Sequence, residues 1–287
     1  MKRKSILIAL TVFFIANLAF SQTMKVQTKS GEKTYNVGDV QSITFGKTIT
    51  GAIEMVEIPA GTFQMGQISI AEPVHTVNIT KAFYMGKYEV TQKQYTDVIG
   101  SNPSQFAGKP TNPVEQVNWY DAVQFCNELS KKEDLELCYT LEGGTTWRCD
   151  FDKKGYRLPT EAEWEYSCRA GTLTDYYTGT TESQLASAGW YDYNSNNTTH
   201  PVGLKVANKF GLYDMHGNVW EWCWDWSAIY IAVTFDDTTW PNSGSYRVLR
   251  GGSWLNNNAT HCCSAYHSGD FPVSRFSSLG FRVVMTK

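Results

Sequence analysis

The 287-residue chain lacks any excess of positive charge: 25 Lys and Arg stand against 28 Asp and Glu, a formal net charge of -3. That removes the electrostatic footprint of a nucleic-acid binder. No Cys-x-x-Cys pair occurs, and the five His (75, 200, 216, 261 and 267) hold no His-Glu-x-x-His spacing. A Gly-x-Ser-x-Gly elbow, a P-loop and a Gly-x-Gly-x-x-Gly after a strand are also missing, so zincin, hydrolase and nucleotide-binding readings lose support. After residue 21 no apolar run is long enough to span a bilayer. No period of about 20 to 50 residues marks a solenoid or propeller. Charged residues are few, at 18%, but 42% of the chain is hydrophobic, which excludes a disordered chain.

What is present begins with Lys2, Arg3 and Lys4, an apolar run over 6–20, and the small-x-small signature Ala19-Phe20-Ser21. Together they predict a signal peptide over 1–21 and an exported protein (secreted, periplasmic or cell-surface) with no membrane span after cleavage. An uncleaved N-terminal anchor is the other reading of the run. No Cys stands at the cleavage point, so lipid anchoring there is not expected. All seven Cys follow residue 21, in a compartment where disulfides persist.

Residues 22–50 read as a small β-hairpin segment. Alternation over 24–28 and 33–37 flanks a turn at Lys29-Ser30-Gly31-Glu32, and 40–45 could supply a third strand. From 51 to 287 regular elements are short. Strands are predicted over 54–59, 61–66 and 74–79, and Thr91 caps a brief helix reaching Val98. The clearest helix runs from Trp119 to Lys132 behind an Asn118 cap, with Trp119, Ala122, Val123, Phe125, Cys126 and Leu129 inward. The capping box Thr160-Glu161-Ala162-Glu163 starts another. Residues 137–150 read as a hairpin that carries Cys138 and Cys149 on its two arms, where a cross-strand disulfide is geometrically allowed. Beyond the Thr160 helix, long helical periodicity is absent, so the fold class is α+β with much irregular chain.

Aromatics are abundant, with 10 Trp, 16 Tyr and 14 Phe. Trp220, Trp222, Trp224 and Trp226 alternate, so a strand would turn all of them to one side and Glu221, Cys223 and Asp225 to the other, as core or as the wall of a ligand pocket. In the same segment Asp214, the carbonyls of Gly217 and Val219, and Glu221 form a set of hard oxygen donors of the kind Ca²⁺ takes, but without EF-hand spacing a turn or capping role for Asp214 is the better reading of these residues alone.

Several motifs in order carry a resemblance: Ile58-Pro-Ala-Gly-Thr-Phe-Gln-Met-Gly66, Glu89-Val90-Thr91, Pro113-Val114, Val117-Asn-Trp-Tyr-Asp-Ala122, Arg157-Leu-Pro-Thr-Glu-Ala-Glu-Trp-Glu-Tyr166, the stretch 210–222, Arg250-Gly-Gly-Ser-Trp254 and Gly280-Phe281-Arg282. Over roughly residues 52 to 285 the chain resembles the formylglycine-generating (sulfatase-modifying factor) family. The resemblance implies one α+β domain, a C-type-lectin-like fold variant with little regular secondary structure. It also implies structural calcium at Asp214, Gly217, Val219 and Glu221, and a second calcium at Asn194 and Ser195. By bringing the Thr160 helix near the final segment it suggests a Cys168–Cys262 disulfide. Enzymes of the family hold copper on two Cys five residues apart. Those positions fall here on Asn256 and His261, so copper and formylglycine generation are not expected.

From 255 to 282 no Lys, Glu, Gln, Met or Trp occurs, so every codon there can end in a pyrimidine, as adenine-directed diversification of Asn codons would leave it. The frame is similar to the variable segment of retroelement-diversified proteins. By that likeness the ligand-contacting positions are His261, Cys263, Tyr266, His267, Ser268, Asp270, Phe271, Val273, Ser274, Phe276, Ser277 and Ser278, with Trp220 and Trp254 beside them. The mixture of aromatic anchors and small polar groups suits recognition. The expected function is a calcium-stabilised ligand-binding module with a diversified loop at 255–278, facing an extracellular protein or glycan. The alternative is a metal-dependent oxidoreductase of the same superfamily with an unidentified substrate.

Overall fold

The computed structural model describes residues 23–28, 31–36, 53–236 and 241–287. The signal-peptide segment and the third strand expected over 40–45 lie outside them. The chain divides into two units, Met1–Thr50 and Gly51–Lys287. In the first, β1 (Thr23–Thr28) and β2 (Gly31–Asn36) pair antiparallel with Met24 opposite Tyr35, which is the expected hairpin.

The second unit begins with β3 (Met55–Ile58), β4 (Gly61–Gln67), β5 (Ala71–Ile79) and β6 (Phe83–Gly86). Helix α1 (Gln92–Ile99) follows a Thr91–Gln94 capping box and stops at Gly100, whose φ of 92° a side chain would disfavour. Helix α2 (Trp119–Lys132) starts at Asn118, reciprocally capped with Asp121, and buries the inner residues its periodicity predicts. The hairpin of β7 (Tyr139–Gly143) and β8 (Thr146–Cys149) comes next, then β9 (Tyr156–Arg157). Helix α3 (Glu161–Arg169) is capped by Thr160 and Glu163 and ends on Ala170 in the left-handed region. Two short helices, α4 (Glu182–Ala188) and α5 (Asp192–Ser195), were not legible in the periodicity, since each offers only one or two turns.

The remaining strands are β10 (Trp220–Trp226), β11 (Phe235–Asp236), β12 (Arg247–Arg250), β13 (His267–Asp270), β14 (Leu279–Gly280) and β15 (Val284–Thr286). They complete three small sheets of order β13-β12-β10-β14, β11-β5-β4 and β3-β6-β15-β9. Because the chain returns to these sheets from distant segments, most connections are irregular and the core is assembled between α2, α3 and the sheet faces.

The face of β10 that carries Glu221, Cys223 and Asp225 is buried throughout, and the Trp face is buried at Trp222 and half-buried elsewhere. Trp222 is fully buried and donates Nε1–H to the Val117 carbonyl at 3.0 Å. Trp224 stacks on Tyr139 with ring centroids 5.2 Å apart. On the other face, Glu221 accepts from Trp164 Nε1 at 2.6 Å, and Asp225 accepts the Glu161 backbone N–H at 2.8 Å. These residues are core. Trp220, half-buried like Trp226, meets the final segment through Tyr266, with ring centroids 6.1 Å apart.

Neither expected disulfide is formed, and all seven cysteines are free thiols. In the β7–β8 hairpin Cys149 stands opposite Tyr139 and Cys138 lies one position beyond, its Sγ directed at the Lys153 carbonyl 3.6 Å away. Cys168 instead contacts the Met215 carbonyl and Ser264 Oγ at 3.8 and 3.7 Å.

Candidate functional site

The segment 255–278 rests on the sheet β13-β12-β10-β14, and one buried arginine pins its base. Arg250 Nη2 donates to Glu165 Oε2 at 2.6 Å and to the Ser264 carbonyl at 2.7 Å, while Nη1 reaches the Ala265 carbonyl at 3.0 Å. Glu165 is itself held by Arg169 at 2.8 Å. Spacing of Glu161, Glu165 and Arg169 at i, i+4 and i+8 on α3 is the sequence signal that could have found this network.

Further along, the backbone stays tied while side chains face out. The carbonyls of Pro272, Phe276, Ser277 and Ser278 accept from Trp119 N, Gln116 N, Trp254 Nε1 and Trp220 N at 3.1, 3.0, 2.9 and 2.7 Å. Yet Phe271, Val273 and Phe276 are 50%, 65% and 52% exposed. Phe271 packs on Tyr246 at 4.6 Å, and Asp270 accepts from Ser274 Oγ at 2.6 Å. His261, Tyr266 and Trp220 make a continuous half-buried run of rings, at 4.7 and 6.1 Å. His267 Nδ1 lies 3.0 Å from Glu161 Oε1 and its ring stands 4.7 Å from Tyr230. Burial opposes the charge of Glu161, but His267 and Arg250 outweigh it and hold the carboxyl below its ordinary range. Two expected contact positions are not on this surface. Cys263 and Trp254 are buried, Cys263 against Tyr176 in a small cluster and Trp254 edge-on to Phe106 at 5.4 Å.

Asn256 and His261 come together, with Nδ2 of the first 3.1 Å from Nδ1 of the second. The family's copper positions are therefore one place in this chain, but they offer an amide and an imidazole. The neighbouring Cys262 and Cys263 are buried, and desolvation pushes the Cys263 thiol up to about 12, so neither presents a thiolate. No group of three or more His, Cys, Asp and Glu side chains among the described residues is arranged to hold a metal.

The expected calcium ligands lie beside a cluster of buried acids. Asp214 takes a φ of 56°, accepts the Gly203 N–H at 2.7 Å through Oδ2, and leaves Oδ1 buried without a partner. Desolvation pushes its pKa up to about 6, with Glu221 adding to the rise. Glu89, which motif spacing alone gave no role, accepts from Asn218 Nδ2 at 2.7 Å and Val219 N at 3.0 Å. It is also pushed well up by burial and by Asp214 and Glu221. Arg282 is the guanidinium that answers these acids, and it spends itself on Glu221. A hard cation thus finds a free oxygen on Asp214, and at Glu221 it would share a carboxylate already engaged. At the second expected site, Asn194 Oδ1 accepts the Tyr191 N–H at 2.9 Å and the Ser195 carbonyl lies 2.6 Å from His200 Nε2.

Fold and site together define a sulfatase-modifying-factor domain. A family profile described as "Sulfatase-modifying factor enzyme 1-like domain" matches residues 44–287, and the chain belongs to that family. It is 36% identical over 277 residues to "Chaperone protein LppX" of Paenibacillus barcinonensis, covering 85% of this chain and 93% of that one. It is 34% identical over 315 residues to the formylglycine-generating enzyme of Mus musculus, covering 84% and 77%. Among solved structures, Treponema denticola variable protein 1 superposes with a TM-score of 0.78 at 36% identity, covering 94% of this chain and 100% of that one. PvdO from Pseudomonas aeruginosa gives 0.69 at 27% identity, over 83% and 96%.

Proposed function

We propose that the chain is an exported, calcium-stabilised ligand-binding module of this family that recognises an extracellular protein or glycan through residues 255–278. The observation that carries the reading is the tied backbone beneath outward side chains. Substitution at Phe271, Val273 or Phe276 changes the presented chemistry without touching a backbone bond. The likeness to a protein called variable supports reading the segment as a diversified loop. Calcium would sit at Asp214 with the carbonyls of Gly217 and Val219 and the Glu221 carboxylate, neutralising the acids that Arg282 alone does not balance.

The DNA flanking the gene tests the diversification. A near-copy of the coding segment for 250–282 beside a reverse-transcriptase gene, with Asn codons at the outward positions, is expected. A genome with neither removes that part of the reading. The second reading is a metal-dependent oxidoreductase of the same superfamily acting on an unknown substrate, and elemental analysis of purified protein separates the two.

A further inference from the structure

On β4 and the C-terminal end of α3, away from the 255–278 segment, lies a cavity of about 450 Å³, within the size range of small-molecule sites. Three rings line it in series: Phe63 meets Tyr166 at 5.4 Å and 56°, and Tyr166 meets Phe210 at 5.8 Å and 48°. Tilted in this way, they form a cup rather than a flat stack. A side chain at Gly61 would press on the Tyr166 hydroxyl and shift the end of that ring.

The polar groups at the rim are unequal in what they leave free. Thr62 Oγ1 donates to Asn78 at 2.7 Å, and Thr172 Oγ1 donates to the Arg169 carbonyl at 2.9 Å, so both keep acceptor capacity. Gln64 spends its amide on Thr76 at 2.9 Å and keeps its carbonyl oxygen. The Tyr166 hydroxyl takes part in no hydrogen bond among the described residues. Arg169 is the one charged residue of the lining, and its guanidinium is turned inward to Glu165, the Gly66 carbonyl and the Thr174 carbonyl at 2.8, 3.0 and 3.4 Å.

Each property restricts the ligand. With no free charge facing the cavity, an ion finds no partner to offset its desolvation. Free acceptors around the mouth call for a ligand rich in donors, which a hydrocarbon is not. Ring faces carry the negative side of the aromatic quadrupole and suit the polarised C–H face of a saturated ring. We infer that this cup is a second binding site, for a neutral sugar ring whose C–H face lies on Phe63, Tyr166 and Phe210 and whose hydroxyls donate to Thr62, Gln64 and Thr172. It is separate from the 255–278 surface, so its failure and the failure of the proposed function can be told apart.

Saturation-transfer NMR on the intact chain with maltose, lactose and chitobiose as probes tests it. At least one disaccharide should show transfer to its ring C–H protons. Phe210→Ala should weaken that binding at least about tenfold, equivalent to roughly 1.4 kcal/mol. Tyr166→Phe, which keeps the ring and removes only the hydroxyl, should weaken it less. Leu141→Ser, an exposed position on β7 outside both surfaces, should leave it unchanged. Unaltered thermal unfolding of the Phe210→Ala protein guards against a folding artefact. Absence of transfer from all three sugars overturns the proposal, as does binding insensitive to Phe210→Ala or stronger binding of p-cresol than of any sugar.

Discussion

Arg282 grips both carboxylate oxygens of Glu221, with Nε 2.6 Å from Oε2 and Nη2 2.6 Å from Oε1, and neither side chain reaches solvent. The same guanidinium donates to the Gly86 and Tyr213 carbonyls at 3.0 Å each, so it joins β6, β10 and the loop before Asp214. Arg282→Met would leave Glu221 buried without its partner and would bare Asp214 and Glu89 to one another. A loss of about 3–5 kcal/mol in urea unfolding is expected. A loss under 1 kcal/mol would mean the acids are neutralised by something other than Arg282.

The proposed calcium site at Asp214 predicts a pH signature of its own. The carboxyl must be ionised to ligate a hard cation, and its folded-state pKa of about 6 means that it holds a proton in mildly acidic solution. Millimolar calcium should therefore raise the melting temperature of an EDTA-treated sample clearly at pH 7.5 and hardly at pH 5. A calcium concentration of 100 times Kd corresponds to about 2.7 kcal/mol. Identical melting with EDTA and with calcium at pH 7.5 would remove calcium from the reading.

Asp225 supplies a pH dependence that is independent of metal. Burial first and Glu161 second push its carboxyl up to about 8, against an ordinary value of 3.8. Between those values the unfolded chain is ionised and the folded chain is not. The contribution is thus complete below pH 3.8, falls as pH rises, and is gone above about 8. The slope is up to about 1.4 kcal/mol per pH unit. Asp225→Asn keeps a carbonyl oxygen for the Glu161 N–H, so the variant should show a flatter stability profile between pH 5 and 8 than the parent. Parallel profiles for the two proteins would show that Asp225 is ionised in the fold.

The final segment should divide sharply into replaceable and irreplaceable positions. Phe271→Ser and Phe276→Ser remove half-exposed rings and leave the backbone bonds in place, so each should change stability by no more than about 0.5 kcal/mol. Arg250→Met severs the link from Glu165 to the Ser264 and Ala265 carbonyls and should cost about 3–5 kcal/mol. Equal costs at Phe271 and Arg250, measured by chemical denaturation, would contradict a loop built to vary on a fixed frame.

Much of this architecture was written locally in the chain. The caps read at Thr91, Asn118 and Thr160 all form, because a cap depends on only four residues; the box at Thr160 was legible, and the structure adds reciprocal partners for the other two, Gln94 and Asp121. The 139–149 hairpin and the Trp220–Trp226 strand follow from alternation alone. What stayed hidden depends on pairing at long range. Alternation places Trp222 and Glu221 on opposite faces of a strand, but not that Val117, just before α2, meets the first and Trp164 of α3 the second. Glu89 meets Asn218 and Val219 across about 130 residues, a contact no local pattern announces. The Phe63, Tyr166 and Phe210 cup likewise draws on three separate segments.

Copper uptake separates the binding-module reading from the oxidoreductase reading. Cu(I) selects thiolates, and the two positions where the family carries them are occupied by Asn256 and His261, whose side chains meet at 3.1 Å. Because the side chains already converge, the paired substitutions Asn256→Cys and His261→Cys should bring two thiols within reach of a single ion without moving the backbone. Elemental analysis after exposure to Cu(I) should find about one copper per chain in the doubly substituted protein and a substoichiometric trace in the parent. Stoichiometric copper in the parent would favour the oxidoreductase reading over the binding module. Failure of the double variant to take up copper would show that its ligand positions, though adjacent, lack the approach geometry that two thiolates require.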